Sequence, residues 1–173
     1  MFYLIGVDHD VQHDGHVNRL PKDRASDIRK RFQRFIESVV RKEKAQIIAE
    51  VGCHEVWLLL EATTTMAKLA AERLGIEHRF IEPCGVERER LGIPSGSYAH
   101  LPEAQQEAIY KLREQFWFRS LEDVSFSPIV VVCGARHVSS FSELLSTNGK
   151  DFTIVDAAWG KEFMPARHVF NQS

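Results

Sequence analysis

Residues 129–137 read IVVVCGARH, and residues 2–9 read FYLIGVDH. Each stretch is an apolar run, then a glycine, then a histidine just past it: Gly134 and His137 in one, Gly6 and His9 in the other. Such a run reads as a buried strand followed by a backbone turn. If both strands lie in one parallel sheet, the two imidazoles meet beyond the carboxyl ends of the strands, where open α/β sheets bind ligands. Two histidines brought together in this way hold a metal or shuttle protons.

Outward from these strands the chain alternates strand and helix. Between Pro21 and Lys44, Ile28, Phe32, Phe35, Ile36, Val39 and Val40 recur at spacings of three and four, which predicts one amphipathic helix. Residues 45–51 (AQIIAEV) predict a second strand carrying Glu50 near its end, and 76–81 (IEHRFI) a third. Residues 66–74 (MAKLAAERL) predict a helix with Thr64 or Thr65 as N-cap and Gly75 as its stop, while the apolar run within 56–61 is too short to assign. A Pro- and Gly-rich loop over 82–100 precedes a helix from Leu101 to Leu121. Residues 128–133, 139–145 and 152–155 predict strand, helix and strand, and the residues after Trp159 carry no assignable pattern. The expected architecture is a single α/β domain over 1–173, a mainly parallel sheet flanked by helices with the site at the carboxyl ends of the strands.

A chain of 173 residues can bury a full core as one domain. A net charge of −2 and a pI near 6.4 give no global attraction to nucleic acid or anionic membrane. The basic stretch between Arg24 and Lys44 is interleaved with Asp and Glu and reads as a solvated helix face. Cys53, Cys84 and Cys133 are odd in number, widely spaced and without a CxxC pair, which argues for a reducing compartment and against a zinc–thiolate site. Without a basic leader or a long apolar span, the expectation is a cytoplasmic protein, free of membrane, acting on a small-molecule or peptide substrate.

Glu50 follows Ile47-Ile48-Ala49, where an apolar strand would ordinarily continue, so its carboxylate must be solvated, paired or metal-bound. His9, Glu50 and His137 make up the protein ligand set of a catalytic divalent metal, Mn²⁺ or Zn²⁺ given the mixed donors. Without metal the same three groups serve acid–base chemistry, with Glu50 orienting a histidine. Arg113, on the helix before the second motif, and Arg88, in the loop, are candidate partners of a developing oxyanion. Arg136 and Asp10, each beside one of the two histidines, are candidate substrate contacts. The rest of the Asp8–His16 cluster reads as loop, because Val11 breaks the HxHxDH arrangement of metallo-β-lactamase-type hydrolases. His54, His78, His100 and His168 show no partner pattern and read as structural or exposed.

Four pieces together, Tyr3-Leu4-Ile5-Gly6-Val7-Asp8-His9, Ala49-Glu50, Arg113-Glu114 with Trp117, and Cys133-Gly134-Ala135-Arg136-His137, resemble the Tiki/TraB superfamily. That group includes Tiki-type metalloproteases, pheromone-shutdown proteins, erythromycin esterases and haem-uptake lipoproteins. The resemblance implies an α/β fold with its site at the strand ends, His9, Glu50 and His137 as the active-site trio, and Arg113 as the associated arginine. The chain is shorter than the proteases and esterases of the group, and Glu114 stands where many relatives carry Asn. The superfamily holds metal-dependent, metal-independent and haem-binding members, so three chemistries stay open. These are metal-dependent hydrolysis of a peptide, ester or phosphoester, metal-free hydrolysis with a histidine as general base, and haem or small-ligand binding without catalysis. The balanced charge argues against a nucleic-acid partner.

Overall fold

A computed structural model describes residues 1–15, 20–96, 98, 100–124 and 126–164. Five strands, β1 (Phe2–Val7), β2 (Ile47–Glu50), β3 (Glu77–Phe80), β4 (Ile129–Gly134) and β5 (Phe152–Trp159), form one sheet in the order β3-β2-β4-β1-β5. Every neighbouring pair is parallel. The helices are α1 (His9–Gln12), α2 (Ala25–Glu43), α3 (His54–Leu59), α4 (Met66–Leu74), α5 (Gly85–Arg90), α6 (Glu103–Arg119) and α7 (Val138–Thr147). No helix among the described residues is long and apolar enough to cross a membrane.

The apolar runs are unbroken because the central strands are covered on both faces. Ile5, Val7, Ile48, Val130 and Val132 face one way, into a core with Phe32, Ile36 and Val40 of α2 and Ala67 and Ala70 of α4. Their neighbours Leu4, Ile47, Ala49, Val131 and Cys133 face the other way, onto Trp117 of α6 and Phe141 and Leu145 of α7. Alternate residues of a strand point to opposite faces, so one sequence run feeds two cores. α4 begins at Thr65, whose side chain accepts from the Lys68 amide at 3.1 Å, and stops at Gly75, as its sequence predicts.

Several short elements differ from expectation. The unassigned stretch after Cys53 is the helix α3, α5 lies within the expected loop, and α1 starts in what reads as a polar loop. Helices of four and six residues are too short to show a helical period. β5 runs on to Trp159 rather than stopping at Val155, because an edge strand tolerates polar and half-exposed residues such as Asp156. Trp159 and Phe163 lie against α2, with ring centroids 4.8 Å apart for Phe32 and Trp159 and 5.9 Å for Trp159 and Phe163. His16 and His168 lie outside the described residues.

The connections decide where a site can form. β1 leads through α1 and α2, on one face, to β2; β4 leads through α7, on the other face, to β5. β1 and β4 are neighbours, and Val7 is paired in register with Gly134. The chain therefore leaves two adjacent strands in opposite directions, the switch point at which doubly wound sheets open a crevice. His9 and His137 follow these two strands. Cys53 and Cys84 follow the neighbouring strands β2 and β3 at the same end and are joined in a disulfide, with Cα atoms 6.2 Å apart. Their spacing in the sequence gave no sign of that pairing. Cys133 is a free, fully buried thiol that burial pushes up to about 12, too high for a nucleophile.

Candidate functional site

The two glycine–histidine motifs converge, and they use their glycines differently. A Cβ on Gly134 would stand 3.1 Å from His9 Nε2 and 3.5 Å from His137 Cδ2, so both rings lie against this one residue. A Cβ on Gly6 would instead stand 2.1 Å from the Ala157 carbonyl oxygen, so Gly6 serves the close approach of β1 and β5. His9 is exposed at the start of α1, where Asp8 caps the helix by accepting from the Asp10 amide at 3.1 Å. His9 Nδ1 is hydrogen-bonded to the Gln12 side-chain amide.

His137 ends a 3-10 turn between β4 and α7 and is only 3% exposed. One face of α6 surrounds it. Tyr110, Arg113, Glu114 and Trp117 are spaced i, i+3, i+4 and i+7, which aligns them along one side of a helix. Glu114, 2% exposed, accepts from His137 Nδ1 at 2.7 Å and from Ser140 Oγ at 2.7 Å. Tyr110 and Trp117 set their rings edgewise to the imidazole, with centroids 4.9 and 5.0 Å away. Arg113 Nη1 lies 3.5 Å from His137 Nε2. The carboxylate fixes the proton on Nδ1, and Nε2 faces a guanidinium. Burial holds His137 below the usual histidine range, reinforced by Arg113 and opposed by Glu114.

Arg113 is itself held by a residue that the sequence did not single out. Glu82, just past β3, accepts from Arg113 Nε at 2.7 Å and Nη2 at 3.0 Å, and from Trp117 Nε1 at 2.8 Å. This fork leaves Nη1 directed at His137. Arg88 joins the same carboxylate, Nη1 to Oε1 at 3.4 Å, and also donates to Pro94 O and to Tyr98 Oη. It buttresses Glu82 instead of standing free for substrate. Arg136 is exposed, donates to Tyr110 Oη at 2.8 Å, and so stands at the rim of the His137 site.

Glu50 does not join the two histidines. It shares the face of Ile48, toward α2 and α4, whereas His137 meets Trp117 on the opposite face. Fully buried, Glu50 accepts through Oε2 from Thr65 Oγ1 at 2.6 Å and pairs with His78 Nε2 at 2.9 Å. His78 therefore has a partner, and Glu114 takes the orienting role expected of Glu50. Asp10 acts electrostatically on His13 and Arg29, and its carbonyl accepts from Arg29 Nη2 at 3.4 Å, which turns it toward α2.

The donors do not fit a metal held by His9, Glu50 and His137. Among the described residues, one group of three His, Cys, Asp or Glu side chains has its ligand atoms within 4.8 Å of one another, and it is Cys53, Glu55 and Cys84. Arg113 moreover places a positive charge beside the His137 nitrogen that would ligate the ion. No family model, curated protein or solved structure matches the chain.

Proposed function

We propose that the chain is a small hydrolase in which His137 acts as general base without a resident metal ion. The observation that carries this reading is the buried row Glu114–His137–Arg113, with a carboxylate on Nδ1 and a fixed guanidinium beside Nε2. Neutral imidazole is a competent base near neutral pH, and burial keeps it neutral. Before substrate binds, Nε2 faces Arg113 Nη1 at 3.5 Å; a substrate oxygen that draws Nη1 to itself frees the Nε2 lone pair, and a water beside it gives its proton to His137 as its oxygen attacks. Arg113 then stabilises the negative charge that develops on that carbonyl or phosphoryl oxygen. His9, across Gly134, offers a second Nε2 to the same substrate, and Arg136 at the rim favours an anionic or strongly polar one. The resemblance of the two histidine motifs and Arg113 to the Tiki/TraB superfamily supports a hydrolytic reading, and its erythromycin esterases provide a metal-free precedent.

The test is hydrolysis of p-nitrophenyl esters and phosphoesters by protein treated exhaustively with chelator, beside His137→Gln. Hydrolysis should survive chelation and fall roughly 10²–10⁴-fold in the variant, the range of a lost general base. Activity abolished by chelation and restored by Mn²⁺ or Zn²⁺, or undiminished in the variant, overturns the proposal.

A further inference from the structure

The Cys53–Glu55–Cys84 group lies outside the hydrolytic site and has its own chemistry. Cys53 is buried, Cys84 half-buried and Glu55 exposed, so the cluster opens to solvent on its carboxylate side. Cys53 directly precedes α3, Glu55 lies in the first turn of that helix, and Cys84 directly precedes α5. The Glu55 carboxylate occupies the space a side chain at Gly85 would fill, with Oε1 3.0 Å from the position of a Cβ there. Gly85 also has φ +43, a conformation that favours glycine, so the turn after Cys84 makes room for the carboxylate beside the sulfurs.

We propose that Cys53, Cys84 and Glu55 form a redox-gated site for a zinc-class divalent ion. A tetrahedral zinc with Zn–S of about 2.3 Å and Zn–O of about 2.1 Å needs its sulfurs ~3.8 Å apart and each sulfur ~3.6 Å from the oxygen. The three donors lie within 4.8 Å of one another, and Cα atoms 6.2 Å apart let the sulfurs separate to that distance without moving the strands. A dithiol reductant cleaves the Cys53–Cys84 bond, supplying two electrons and two protons and becoming a disulfide itself. Metal binding then releases both thiol protons to solvent, and water completes the coordination. Transfer of the two thiolate electrons to an oxidised disulfide compound re-forms the Cys53–Cys84 bond and frees the ion. Two thiolates and a carboxylate suit a borderline ion such as Zn²⁺ over Mg²⁺ or Ca²⁺.

Cobalt titration tests this, on protein with the disulfide intact and on protein reduced by dithiol and then freed of it without air. The reduced protein should take up one equivalent of Co²⁺ with thiolate-to-cobalt absorption in the near ultraviolet, and Zn²⁺ should displace it. The oxidised protein should show no such absorption. Glu55→Gln, at an exposed position that leaves the fold intact, should weaken binding by at least about tenfold, and Cys133→Ser should leave it unchanged. Absence of the absorption from the reduced protein, or undiminished affinity in Glu55→Gln, overturns the proposal. None of these readouts depends on hydrolysis.

Discussion

His137 must be neutral to accept a proton, and its surroundings make it so. Burial disfavours the imidazolium, Arg113 adds repulsion, and Glu114 only partly offsets both, leaving it below the ordinary histidine value of 6.5. The rate should therefore hold down to pH 6.5 and fall at lower pH, as the base becomes protonated. Glu114→Gln removes the one nearby group that favours the charged ring. In pH–rate profiles it should move the acid limb to still lower pH while lowering the plateau by roughly two orders of magnitude. An unmoved limb would show that Glu114 does not orient the base. Gly134 offers a second test. Its φ of −60 suits any residue, so Gly134→Ala introduces no backbone strain, only a methyl group 3.1 Å from His9 Nε2. Hydrolysis should drop while unfolding free energy changes by about 1 kcal/mol or less. Gly6→Ala meets a backbone oxygen at 2.1 Å that cannot move aside, so it should reduce soluble, folded protein. The two glycines look alike in sequence and should fail differently.

The junction between α1 and α4 shows how elements set the ends of the crevice. Asp14 accepts from the amides of Thr63 at 2.8 Å and Thr64 at 3.0 Å, and His13 bridges to Thr65. Thr65 then caps α4 and donates to the buried Glu50. Thr65→Val loses the cap and leaves that carboxylate with one partner fewer, which should cost about 2–4 kcal/mol in urea unfolding. Thr65→Ser, which keeps both hydrogen bonds, should stay within about 1 kcal/mol. A loss in Ser with Val near wild type would show that the methyl contact matters instead of the hydroxyl. The cap on α4, like the strands β1 and β4 and the period of α2, was legible because local chemistry alone dictates it. The convergence of His9 and His137 was legible too, since both follow apolar strands. The fate of Glu50 was not, because strand alternation carries it to the face opposite His137, and which face holds which helix is a tertiary fact. Glu114 neighbours Arg113 in sequence, yet only the α6 stripe through Tyr110, Arg113, Glu114 and Trp117 marks it as the partner of His137. Glu82 and the Cys53–Cys84 pairing depend on which strands are neighbours, and no local signal carries that information.

Across the whole molecule, two buried histidines tie stability to pH. His13 is 1% exposed, and burial, with a contribution from Arg29, lowers it below 6.5 against the opposing pull of Asp10 and Asp14. His137 is lowered in the same sense. Both are therefore neutral in the folded chain at pH values where the unfolded chain already binds protons. The unfolded state holds more protons in that window, so stability increases with pH there. The contribution is fully present above 6.5, the unfolded value, and is lost as pH falls through the lower folded values. Asp14, whose carboxyl is partly desolvated yet held below the usual range by Thr63 and Thr64, adds a loss of the same sign at more acid pH. Urea-unfolding free energies measured along a pH series should be level above pH 7 and decline below 6.5. His13→Gln and His137→Gln should each flatten the first part of that decline, even where they lower stability at neutral pH, because each removes one titrating group. A decline of unchanged slope in both variants would mean that acid sensitivity arises elsewhere in the fold.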